Sequence, residues 1–174
     1  MNVFVEYLVK KKKGVSEYLQ ILAIACLGVL GVIIAFSYLM RTIPQFGSLI
    51  TLAAFAGIYF LYVWITCYNV EYEYALIDNE IDVDKITNQR KRKRMTTVKL
   101  NRIEVFGTKG ESADFEKHIQ DANISKIYAC ADKTSKDVFF VVYSEDDKKK
   151  MLLFNPNEKM RERIEKIALL NRAV

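Results

Sequence analysis

The sequence predicts a membrane-spanning α-helical hairpin followed by an α+β domain, a seven-stranded antiparallel barrel or sandwich capped by a C-terminal helix. Three observations carry that expectation. Charge is segregated: 27% of the 174 residues are Asp, Glu, Lys or Arg, yet residues 18–40 and 42–70 contain none of them. Each of these runs exceeds the ~20 apolar residues that cross a hydrocarbon core of about 30 Å. From residue 70 the apolar positions alternate with polar ones, the period of a half-buried strand, and after residue 155 they return to helical spacing. A cytosolic enzyme with one core, a secreted disulfide scaffold and a disordered tail do not have this distribution.

Residues 1–16 read as an N-terminal interfacial segment. Phe4, Tyr7 and Leu8 fall on one face of a helix, and Lys10–Lys13 follow at headgroup level. The apolar run that begins at Tyr18 is too long for the h-region of a cleaved signal, so it reads as an anchor. The transmembrane hairpin occupies 17–68, with spans at 18–40 and 43–68. Its polar break is Arg41–Gly47, where Pro44 and Gly47 fit a tight connection between antiparallel helices. Gly28, Gly31, Ala53, Ala54, Ala56 and Gly57 offer small positions for close helix approach. Tyr59, Tyr62, Trp64 and Tyr68 crowd the end of the second span, where amphipathic rings favour the interface. Neither span holds an ionisable Asp, Glu, Lys, Arg or His, which argues against an ion or proton path. Lys10–Lys13 and Arg90–Arg94 flank the hairpin, against a lone Arg41 in its turn. The positive-inside rule therefore expects a multi-pass protein of the cell membrane with both termini cytoplasmic.

Residues 69–174 are the expected cytoplasmic domain. Val70, Tyr72, Tyr74 and Leu76 alternate with Glu71 and Glu73, and Asp78-Asn79 offers the positive-φ turn of a hairpin. Ile81 and Val83 continue the apolar face. Further strands are expected at 95–100, 103–108, 125–131, 138–143 and 151–154, a short helical piece at 112–119, and hairpin loops at 133–137 and 145–150. The closing helix, 156–171, takes Asn155 as its N-cap, Pro156 at N1 and Glu158 at N3. Met160, Ile164, Ile167 and Ala168 form its apolar stripe.

The order of about seven strands and then one amphipathic helix resembles the pleckstrin-homology (PH) superfold. The residues that carry the resemblance are Tyr72-Glu73-Tyr74-Ala75-Leu76-Ile77-Asp78-Asn79-Glu80-Ile81-Asp82-Val83, the basic turn, and Leu100-Asn101-Arg102-Ile103-Glu104-Val105. Bacterial PH-like domains placed directly after a pair of transmembrane helices look similar. The whole chain, with its opening Phe4-Val5-Glu6-Tyr7-Leu8-Val9-Lys10-Lys11-Lys12, also resembles an uncharacterised family of small two-span bacterial membrane proteins. That resemblance implies architecture and location, not an activity.

The formal net charge of +5 is local rather than global. Residues 71–84 hold Glu71, Glu73, Asp78, Glu80, Asp82 and Asp84 without a base, and residues 85–94 hold only bases. The run Arg90, Lys91, Arg92, Lys93, Arg94 is the candidate site for lipid or partner binding. Each base near an anionic leaflet is worth about 1 kcal/mol. PH domains that bind inositol phospholipids use bases around an early strand–strand loop, which is what the resemblance implies for this run. A structural reading of the same bases has them neutralise the acidic strand face beside them and set topology.

Other chemistry is sparse. Asp82 and Asp84 share a strand face and, with the single His118, define a metal-dependent enzyme as an alternative. A nucleic-acid binder using Lys91–Arg94 is another, without the aromatic platform that single strands need. Gly107-x-x-Gly110 follows a strand and reads as a turn. Cys26, Cys67 and Cys130 make neither a disulfide framework nor a metal spacing, and no GxSxG, P-loop, HExxH or GxGxxG occurs. The expected protein is thus a non-enzymatic membrane-anchored binding or scaffolding module with no cofactor and no metal. Its partners are the lipid bilayer, anionic phospholipid headgroups and an unidentified protein. Nucleic acid is not expected, and nothing in the sequence selects an oligomeric state.

Overall fold

The computed structural model describes residues 4–145 and 148–172. The chain divides into two compact units, Met1–Lys12 with Val70–Val174, and Lys13–Asn69. The inner unit is helical: α1 (Val15–Thr42), a 3-10 turn at Pro44–Phe46, and α2 (Gly47–Thr66). At 1.5 Å per residue α1 is about 42 Å long and α2 about 30 Å. Both are long and apolar enough to cross a membrane. No described residue of α1 is buried, and Ile50 alone is buried in α2. Leu19, Leu27, Ile34, Phe55 and Phe60 are all exposed, so the apolar surface runs around the pair instead of forming one stripe. Helix packing uses two of the expected glycines. A Cβ at Gly28 would lie 2.4 Å from Leu61 Cδ2 and one at Gly57 3.3 Å from Val32 Cγ2, whereas Gly31 faces open space.

The outer unit is β-rich. Its strands are β1 (Phe4–Lys10), β2 (Val70–Ile77), β3 (Glu80–Thr87), β4 (Lys91–Lys99), β5 (Ile103–Thr108), β6 (Ser125–Ala129), β7 (Phe139–Glu145) and β8 (Lys148–Phe154). Helix α3 (Ala113–Gln120) lies between β5 and β6, and α4 (Glu158–Arg172) follows β8. Two four-stranded sheets result, in the orders β1-β2-β3-β4 and β5-β7-β8-β6.

Alternation explains the layers. Tyr72, Tyr74, Leu76, Ile81, Val83 and Val98 from the first sheet meet Phe139, Val141, Tyr143, Leu152 and Phe154 from the second. Met160, Ile164 and Ala168 of α4 complete that cluster, as the helical stripe predicts. The opposite face of the second sheet is also covered. Phe140, Val142, Met151 and Leu153 pack with Phe115 of α3 and with Ile124 and Cys130. Strand β7 is therefore buried on both faces from Phe139 to Tyr143, which is why its sequence is a continuous apolar run.

Three expectations need correction. The segment 1–16 is not a surface helix: Phe4–Lys10 is a strand, paired antiparallel with β2 from Phe4 opposite Ile77 to Lys10 opposite Glu71. Val5 and Val9 pack against the core, so this segment belongs to the domain that was expected to begin at 69. The strands do not form a closed antiparallel barrel. They make two separate sheets, with eight strands among the described residues, and β6 runs parallel to β8. The last helix begins at Glu158, later than expected. Asn157 supplies the cap, its Oδ1 accepting the Met160 N–H at 2.9 Å, while Asn155 Oδ1 instead accepts the Ala131 N–H at 2.8 Å. The tip of the expected 145–150 loop, residues 146–147, lies outside the described residues.

Candidate functional site

The basic run is built by the β3–β4 hairpin. Asn88 and Gln89 take φ of 52° and 53°, the two positive values of a type I′ turn, and the Arg90 N–H donates to Thr87 O at 3.2 Å. The turn is thus Thr87–Arg90, and Lys91–Arg94 is not a turn but the first half of strand β4. That strand is an edge of its sheet, a position where charged residues discourage pairing with other chains.

A register shift divides the run into two sets. Thr96 opposes Val83, but Arg94 opposes Asp84, so Met95 is the extra residue of a β-bulge. An unshifted strand would turn Met95 and Lys93 toward the acids of β3. The bulge turns Arg94 and Arg92 there. Arg94 bonds Asp84 and lies 2.7 Å from Asp82, and Arg92 reaches across β3 to Glu73 on β2 at 2.5 Å. The bond to Asp84 leads the effects that hold the Arg94 guanidinium protonated. Glu73 and Asp84 are buried, and burial raises the Glu73 carboxyl despite Arg92, with Glu6 and Asp84 adding to the rise. These arginines neutralise carboxylates that would otherwise face each other across β2 and β3.

The remaining bases differ. Arg90, Lys91 and Lys93 are exposed, and among the described residues they form no ion pair. The half-buried Lys85 stands directly opposite Lys93, a like-charge pair that sequence reading did not single out. Its signal was the alternation Ile81, Val83, Lys85, which puts it on the parity of Lys93 once the bulge is known.

The position of this group in the sheet is specific. Val70 opposes Thr87, Thr87 opposes Lys91, and the Lys11 N–H donates to Val70 O at 3.0 Å. Lys91 therefore occupies the strand row of the residues at which the chain leaves and re-enters the β unit. It lies two strands away, about 10 Å at ~4.8 Å per strand. The same end carries Lys12, whose N–H donates to Ala131 O at 2.8 Å. Hydrogen bonds from Thr134, and then the charges of Lys12 and Lys109, hold the Asp132 carboxyl low. Lys109 Nζ donates to Lys133 O at 2.8 Å, and Lys133 Nζ stands 4.3 Å from the Tyr128 ring centroid.

The other candidates are placed as follows. Asp82 and Asp84 do share a face, and Arg94 bridges them. His118 sits on α3 with its ring Nδ1 2.8 Å from Asp114 O. Among the described residues no group of three or more His, Cys, Asp or Glu side chains is arranged to hold a metal. Gly107, expected in a turn, is a residue of β5 opposite Phe140, and Gly110 lies in the turn that follows, its N–H donating to Lys136 O.

Residues 1–171 match the family model of the bacterial PH-like domain, DUF6106. The chain belongs to this family. The match spans β1, both long helices and the two sheets, so the PH-like unit and its inserted hairpin form one family pattern. No curated protein and no solved structure matches the chain.

Proposed function

We propose that this bacterial PH-like protein is a non-enzymatic, membrane-anchored binding module. Its helical hairpin crosses the cell membrane twice, and its domain stands at the cytoplasmic surface, where Arg90, Lys91, Lys93 and Lys85 meet anionic phospholipid headgroups. Arg92 and Arg94 serve the fold instead. The observation that carries this reading is the row shared by Lys11, Val70, Thr87 and Lys91: Arg90, Lys91 and Lys93, which form no ion pair among the described residues, lie at the end of the sheet where the chain passes into its apolar helices. Two residues separate Lys12 from Val15, a reach of about 10 Å, comparable to the screening length of ~8 Å at physiological salt. A protein partner bound by the same domain completes the scaffolding role.

The test uses the full chain in nanodiscs of zwitterionic or anionic lipid, with amide hydrogen exchange read over residues 86–93. Protection of that segment should rise in anionic discs at low salt and fade at high salt. It should vanish in the triple variant Arg90→Gln, Lys91→Gln, Lys93→Gln. Identical exchange in both lipids at low salt would remove the lipid role and leave these bases as a topology signal.

A further inference from the structure

The opposite end of β1 carries a second basic feature that the lipid reading does not use. A cleft of about 280 Å³ lies between Val5 of β1 and the Lys159, Glu162, Arg163 and Lys166 side of α4. These four helix positions repeat at three- and four-residue spacing, so they form one face beside the buried stripe of Met160, Ile164 and Ala168. The other flank of α4 is internally satisfied: Arg161 pairs with Glu165 at 2.9 Å and lies 5.5 Å from the Phe139 ring centroid. The cleft face is not. Among the described residues, Lys159, Arg163 and Lys166 form no ion pair, and the buried Nε of Arg163 has no hydrogen-bond acceptor. A guanidinium nitrogen withdrawn from water without an acceptor is unfavourable, and a ligand oxygen is what would relieve it.

We infer that this cleft binds a phosphate monoester dianion carried on a small molecule with an apolar part. Three cations against the single carboxylate of Glu162 leave a surplus of two positive charges, which matches a dianion. The planar fork of Arg163 suits two oxygens of one phosphate, and flexible Lys159 and Lys166 close on it as point charges from one turn on either side. Val5 supplies an apolar wall, which an inorganic ion would not use. Val5 and Lys10 are five residues apart on an extended strand, about 17 Å, so the cleft is well removed from the end at which the chain passes to α1. A soluble ligand reaches it without competing with headgroups.

Titration of the full chain in zwitterionic nanodiscs with phenyl phosphate, followed by calorimetry and by the phosphorus resonance, tests this directly. Binding should be at least about tenfold tighter than that of inorganic phosphate and should weaken as pH falls through ~6, where the dianion takes up a proton and becomes the monoanion. Arg163→Gln should reduce affinity about tenfold or more. Lys159→Gln with Lys166→Gln, two changes at the cleft rim that leave the buried stripe intact, should do the same with an unchanged melting temperature. The triple variant at 90, 91 and 93 should bind phenyl phosphate like the parent, which separates this site from the lipid-facing end. No saturable binding at millimolar phenyl phosphate, or equal binding by the parent and the Lys159/Lys166 variant, overturns the inference.

Discussion

Two tyrosine hydroxyls tie the sheets together across the core. Tyr74 of the first sheet donates to the carbonyl of Ala129 at the end of β6 and accepts the Asn155 N–H at 3.4 Å. Tyr143 of the second sheet shares a 2.6 Å hydrogen bond with Thr96 on β4. Burial is the leading cause that pushes both phenols upward, so each hydroxyl stays protonated and available as a donor. Tyr74 matters more, because its partner is a backbone group with no side chain to rotate away. Tyr74→Phe keeps the ring contacts with Phe154 and removes only the oxygen. The expected loss is about 1–2 kcal/mol, the cost of an unsatisfied buried carbonyl. Denaturation of the full chain in detergent would measure it, and an unchanged midpoint would mean that the hydroxyl contributes nothing to joining the sheets.

Among the elements, the hairpin helices show how a few small side chains set packing. Gly28→Ile should force Leu61 aside and lower the detergent melting temperature, whereas Gly31→Ile, which faces open space, should leave it within a degree or so of the parent. Equal effects at the two positions would mean that the helices do not pack through Gly28. The seven strands from β2 to β8 were legible because each alternates or runs apolar between turn residues. Strand β1 was not, for two reasons. Phe4, Tyr7 and Leu8 suit a helical face as well as Val5, Tyr7 and Val9 suit a strand face, and the pairing partners lie beyond any local pattern, from Glu71 opposite Lys10 to Ile77 opposite Phe4. The basic half of β4 was hidden because consecutive Lys and Arg have low strand propensity, and only the pairing with β3 overrides it. The bulge at Met95 has no local signature at all, yet it decides that Arg92 and Arg94, and not Lys93, meet the carboxylates of β2 and β3. The parallel pairing of β6 with β8 was equally unreadable, since alternation does not carry strand direction. The cap of α4 was misplaced by two residues because Asn155 and Asn157 flank Pro156 and both have a capping side chain.

On the scale of the whole molecule, the hairpin is an insertion between two neighbouring strands of one sheet. β1 and β2 pair along their length, and the helices occupy the chain between them. A hydrogen-bonded sheet cannot be divided by a bilayer, so the chain must leave and return on the same side. The hairpin therefore crosses twice or not at all, whatever the charges flanking it. Exposed apolar side chains all around α1 and α2 favour two crossings, and our proposal puts the domain inside on the contrast of Lys10–Lys13 with the lone Arg41. The measurement that bears most directly on this arrangement is cysteine accessibility in intact cells, in full chains with Cys26 and Cys67 changed to alanine. An impermeant maleimide should label Ser48→Cys, at the start of α2, without permeabilisation. It should label Glu116→Cys, exposed on α3, only after the membrane is opened. Labelling of Glu116→Cys in intact cells would contradict the cytoplasmic placement of the domain, and equal protection of both positions would contradict the two crossings.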